Sequence, residues 1–104
     1  MEGLELISFQ IISGVGAAKS KYIEAIHCAK AGNFDEAKVK IDEGKKLYNE
    51  GHNAHTELIQ MEAGGEKIEF NILLMHAEDL LMSADTFSIL AEEFIDVYKK
   101  IAEK

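Results

Sequence analysis

The run Ala29-Lys30-Ala31-Gly32-Asn33-Phe34-Asp35-Glu36 closes one helix and opens the next. Gly32 follows an apolar-periodic stretch, where a glycine commonly terminates a helix, and Asn33 with Glu36 three residues on reads as an N-cap with its capping box. Gly64-Gly65 is the second break, and with 0 prolines in the chain nothing else forces one. On one side of the first break, Leu4, Ile7, Ile11, Val15, Ala18, Tyr22, Ala25/Ile26 and Ala29 recur at helical spacing; on the other, Phe34, Ala37, Ile41, Tyr48 and Leu58 do the same. The spacing predicts helices over about residues 2–31, 34–63 and 67–103. Each would run about 45 Å at 1.5 Å per residue, and the short turns make neighbours antiparallel. The expected fold is all-α: one domain over residues 1–104, an up-down-up three-helix bundle. Gly14, Gly16, Gly44 and Gly51 fall inside these helices, at a cost of roughly 1 kcal/mol each that close helix approach would offset.

Composition agrees. Apolar residues make up 47% of the 104, charged residues 29% and aromatic residues 8%, a globular balance with little to favour a sheet. With 11 Lys+Arg against 19 Asp+Glu the formal charge is −8, which argues against nucleic acid and against anionic membrane as partners. A single cysteine, Cys28, forms no internal disulfide and suits a reducing compartment, where its position on the apolar side of the first helix makes it a small buried thiol. Glu2 and Glu5 stand where a secretory signal would be basic, and no apolar run reaches the roughly 18 residues of a membrane span. A cytoplasmic protein with no membrane insertion is expected.

The third helix carries more apolar residues than one stripe needs. Counting about 100° per residue from Phe70, one group of Leu74, Ala77, Leu81, Ala84, Ala91 and Ile95 faces the other two helices. A second group of Ile72, Met75, Met82, Thr86, Leu90 and Val97 falls on roughly the opposite side, where a monomer would leave it in water. Such a stripe implies self-association, with this helix of each subunit around a rotation axis. A dimer satisfies the pattern as well as a trimer. Asp79 lies in the middle of the second stripe, so association would gather its copies. Like charges brought together need a counter-charge, and a divalent cation such as Mg²⁺ or Ca²⁺ suits carboxylate and water oxygens; a solvated Asp on an exposed face is the competing reading. His76 points between the two faces, about 80 to 100° from the middle of each, and so lines the groove at a subunit boundary. Neutral imidazole there is a competent nucleophile.

The segment Ile72-Leu73-Leu74-Met75-His76-Ala77-Glu78-Asp79-Leu80-Leu81-Met82 resembles the signature of the lactose/cellobiose-type IIA proteins of the bacterial sugar phosphotransferase system. Phe9-Gln10-Ile11-Ile12, Gly16-Ala17-Ala18-Lys19-Ser20, Glu24-Ala25 and Ala29 to Phe34 resemble that family's first helix and turn. His52, Thr56-Glu57-Leu58-Ile59 and Glu62-Ala63-Gly64 resemble its second. The resemblance implies a homotrimer assembled through the third helix. It implies that His76 accepts a phosphoryl group from the phosphohistidine of HPr and passes it to a cysteine of a IIB component, in the uptake of a β-linked disaccharide of the lactose, cellobiose or chitobiose class. It implies that Asp79 meets its symmetry mates around a metal ion, Mg²⁺ being the cation expected. Three positions depart from the family pattern: Glu78 and His55 stand where Gln is usual, and Leu80 where His or Gln is common.

Glu78 is two residues from His76 on the same helix and points away from it, so any contact between them comes across the subunit interface. His52 is a candidate donor to phosphate oxygens in that groove. His52 and His55 are spaced like a metal pair but lack a clustered ligand set, and Gly14-Val15-Gly16 has no strand before it to make a nucleotide loop. The alternative to a phosphocarrier is a noncatalytic helical adaptor or regulatory module of the same descent, for which Glu78 and Leu80 are the sequence features.

Overall fold

In the computed structural model, which describes residues 3–104, the helices are α1 (Gly3–Lys30), α2 (Phe34–Ala63) and α3 (Ile72–Ala102). They form a slender bundle with principal extents of 57 × 21 × 20 Å, in which α1 packs against both other helices more extensively than those two pack against each other. The three-helix expectation is met. Residue 2, at the expected start of the first helix, lies outside the described residues.

Both turns are built on a glycine in the left-handed region. Gly32 has φ 86°, and the Asn33 N–H donates to the Cys28 carbonyl at 2.8 Å while the Gly32 N–H donates to Ala29 at 3.0 Å. Gly65 has φ 97°, with Glu66 donating to Met61 and Gly65 to Glu62, each at 3.1 Å. Each is a Schellman closure, which satisfies the last carbonyls of a helix and needs a residue without a Cβ penalty.

Two expectations about helix starts are corrected. Asn33 makes no side-chain cap: its backbone, at φ −94° and ψ 73°, is committed to the Schellman closure of α1, and no capping box with Glu36 forms. The third helix begins at Ile72 and not near Lys67, because Asn71 adopts an extended conformation and its Oδ1 accepts the Leu74 N–H at 2.8 Å. Phe70, which the spacing places on the core face, therefore precedes the helix and is 75% exposed.

The core follows the sequence stripes. Ile7, Ile11, Val15, Ala54, Leu58, Leu74, Ala77, Leu81 and Ala84 fill one end; Ala18, Tyr22, Ala25, Ala29, Ala37, Ile41, Ala91 and Ile95 fill the other. Small residues at the contacts let the helices approach closely. A Cβ on Gly14 would sit 2.9 Å from the Gly51 backbone nitrogen and 3.0 Å from the Leu47 carbonyl, and one on Gly44 would lie 2.5 Å from the buried Tyr22 ring. Burial also raises the Tyr22 phenol above its ordinary range, a shift that a hydrogen bond to Ser88 partly opposes. Gly16 is different: nothing lies within 4 Å of its would-be Cβ.

These contacts separate two substitutions that look alike in sequence. Gly14→Ala drives a methyl into the backbone of α2 and is expected to cost about 1–2 kcal/mol after the gain in helix propensity. Gly16→Ala meets open space and should stabilise by up to about 1 kcal/mol. Urea unfolding followed by circular dichroism at 222 nm reads both, and a stabilised Gly14→Ala would contradict the close approach.

Candidate functional site

The side chains of α3 divide into four directions. Leu74, Ala77, Leu81, Ala84, Ala91 and Ile95 are buried against the other helices. Directly opposite, Ile72 is 84% exposed, Met75 60%, Met82 64%, Leu90 49% and Val97 50%. Ile89, Phe94 and Ile101 are exposed as well, so the uncovered apolar surface is broader than the sequence stripe.

The two flanks between these faces are fixed by contacts. On one, the α1 residue Lys19 donates from Nζ to Ser83 Oγ at 3.2 Å and lies over the Phe87 ring, 5.2 Å from its centroid. On the other, α2 reaches across through Lys45 Nζ to Glu92 Oε1 at 2.8 Å and through His55 Nε2 to the Glu78 carboxylate at 2.8 Å.

His76 belongs to the α1 flank. It lies 7 residues before Ser83 and 11 before Phe87, within about 20° of either at about 100° per residue. Its side chain is exposed, in the second turn of α3, and among the described residues no hydrogen bond or ion pair holds the ring. Both ring nitrogens are therefore open to a reactant. Asp79 is exposed on the apolar stripe between Met75 and Met82 and, among the described residues, has no ion-pair partner. Leu80 is half-buried and packs on the core end that holds Ile7 and Ile11, so at this position an apolar side chain serves packing.

Glu78 sits on the α2 flank, about 160° around the helix from His76. It turns towards α2 and pairs with His55, whose Nδ1 is buried without a partner. A carboxylate is an acceptor only, so Nε2 carries the proton and donates it. His52 joins this flank: its ring stacks on Tyr48 with centroids 6.0 Å apart at 15°, and lies 6.5 Å from the His55 ring. Within one chain the structure thus gathers His52, His55 and Glu78 and leaves His76 apart from them. Among the described residues no three His, Cys, Asp or Glu side chains come together as a metal-holding group, and no helix is long and apolar enough to cross a membrane.

Comparison with known proteins supplies the family. The family model described as "PTS system, Lactose/Cellobiose specific IIA subunit" matches residues 6–99. The chain belongs to this family. It is 45% identical, over 103 residues, to the lichenan-specific phosphotransferase enzyme IIA component of Bacillus subtilis, spanning 99% of this chain and 94% of that protein. The crystal structure of the cellobiose-specific enzyme IIA from Bacillus anthracis superposes with a TM-score of 0.97 at 48% identity, covering 100% of this chain and 95% of that one. The solution structures of the IIA(chitobiose)–HPr complex give a TM-score of 0.85 at 31% identity, covering 98% of this chain and 99% of that one. In this IIA subunit of the sugar phosphotransferase system, α3 presents one uncovered apolar strip between two flanks tied to α1 and α2.

The extended Asn71 that starts α3 places His76 in its second turn. Replacing Asn71 with Ala removes the cap on the Leu74 N–H and should cost about 1 kcal/mol, read as a lower urea midpoint with an unchanged m-value. Unaltered stability would show that the cap contributes nothing to the start of the helix.

Proposed function

We propose that this chain is a phosphocarrier that acts through His76 in the cytoplasm, taking a phosphoryl group from phospho-HPr and passing it to a cysteine of a IIB component during uptake of a β-linked disaccharide. The observation that carries the reading is an exposed imidazole, unbonded among the described residues, at the edge of an uncovered apolar stripe in a chain of the IIA family. The related IIA(chitobiose) protein is described in complex with HPr, which supports that partner.

In the first transfer the bond between phosphorus and the donor's imidazole nitrogen breaks as a bond from a His76 ring nitrogen forms. In the second, the His76 N–P bond breaks as an S–P bond forms on the acceptor cysteine. Such transfers need reactants in line and donors on the equatorial oxygens, which the docked partner can complete. A short-range contribution comes from α3 itself, whose N-terminal turn is the positive end of the helix dipole. The sugar never meets this subunit in such a relay.

The exposed stripe is covered in this reading by the same helix of two further copies, giving a homotrimer with α3 around the axis. Asp79, one carboxylate per protomer and without an ion-pair partner among the described residues, would then meet its copies and hold a divalent cation such as Mg²⁺, which supplies counter-charge there.

Incubation with enzyme I, HPr and phosphoenolpyruvate should add one acid-labile phosphoryl group by intact mass, absent in His76→Ala; no addition to the natural chain would favour the adaptor reading. Asp79→Leu removes the like charges together with their need for a cation, so this variant should retain its trimeric mass in analytical ultracentrifugation. Dissociation to monomers would contradict that account of Asp79.

A further inference from the structure

The His55–Glu78 pair is not used by the phosphocarrier reading, yet it ties the α2 flank of α3 to α2 in the same stretch of helix that carries His76. Glu78 hangs on the flank of α3 opposite His76, and the two side chains cannot meet within a protomer. A ring of copies around α3 changes this. In any such ring the α1 flank of one protomer's α3 faces the α2 flank of the next, because the interface is heterologous. His76 of each protomer therefore faces the Glu78 side of its neighbour. Left free, that carboxylate would point into the groove where a dianionic phosphoryl group is to be received.

We propose that His55 is a positioning residue acting in trans: by donating Nε2–H to Glu78 at 2.8 Å it holds the carboxylate against α2, clear of the neighbouring protomer's phosphoryl-accepting His76. The inference rests on the phosphocarrier reading and on assembly through α3. The surroundings of the pair fit a holding role. His55 and Glu78 share a cleft with Leu58, Ile59, Ile68 and Phe70, an apolar wall that offers the carboxylate no other donor. Glu62 lines the same cleft and, as a carboxylate, offers Glu78 no hydrogen to accept. The α1 residues of the adjoining core, Ile7 and Ile11, carry no charge, and His52 lies beyond, stacked on Tyr48. His55 is thus the donor that the geometry supplies.

The test is a set of variants phosphorylated by phospho-HPr at equal concentration. His55→Leu keeps an apolar fill in an apolar cleft but frees Glu78, and the initial rate should fall about 5- to 10-fold, the size of a partly screened like-charge interaction. Glu78→Gln should be phosphorylated at the natural rate, and adding it to His55→Leu should restore that rate. A merely structural His55 would leave the double variant as slow as His55→Leu, and so overturn the proposal; thermal melting of each variant accompanies the rates.

Mixed trimers then test direction. When His55→Leu protomers are exchanged with protomers carrying His76→Ala, the only acceptors lie on the former, and those beside an intact His55 should regain the natural rate. No recovery on mixing would place the effect within one protomer and overturn action in trans. Absence of phosphorylation in the natural chain would instead strike the phosphocarrier reading itself, which separates the two failures.

Discussion

An α-helix can bury one side against its own bundle, and α3 carries enough apolar surface for more than one. Leu74, Ala77, Leu81 and Ala84 are spent on the core shared with α1 and α2. That leaves Ile72, Met75, Met82, Leu90 and Val97 in water. Each such side chain gains on the order of 1.5–3 kcal/mol when fully covered, so a long uncovered row is a standing drive to association. The positions of His76 and Asp79 take their meaning from this surplus, one at its margin and the other in its middle. On a helix with a single apolar stripe both would be ordinary solvated residues.

Much of this was readable in the order of residues. Helix periodicity located all three elements, and α2 matched its expected span because glycine turns bound it on both sides. The start of α3 was misplaced because Ile68 and Phe70 continue an apolar pattern without being helical; what ends the pattern is Asn71, whose cap is a local backbone event that periodicity does not register. Asn33 failed as a cap for the converse reason, since its backbone was already engaged in closing α1. Of the internal glycines, Gly14, Gly44 and Gly51 sit at close contacts and Gly16 does not. A lone glycine in a helix carries no mark of which neighbour it will meet.

The candidate site was legible residue by residue and less so as an arrangement. His55 and Glu78 each stood out as unusual, but their contact depends on the register of two antiparallel helices, which the Lys45–Glu92 bridge shows independently further along. Going 14 residues back along α3 from Glu92 reaches Glu78, and going 10 forward along the antiparallel α2 from Lys45 reaches His55, levels within about one helical turn of each other. The contact joins positions 23 residues apart, which no local pattern connects.

The interlocked glycines of α1 and α2 bear on how such a chain tolerates change in length. Gly14 against Gly51 and Gly44 against Tyr22 are two rivets along one seam, and a residue inserted between them on either helix would rotate one rivet by about 100° out of contact. Lengthening is thus easiest at the chain ends and in the non-helical connection between the Gly65 closure and the Asn71 cap. Relatives of this bundle should differ in tails and in that connection while the riveted seam keeps a constant count.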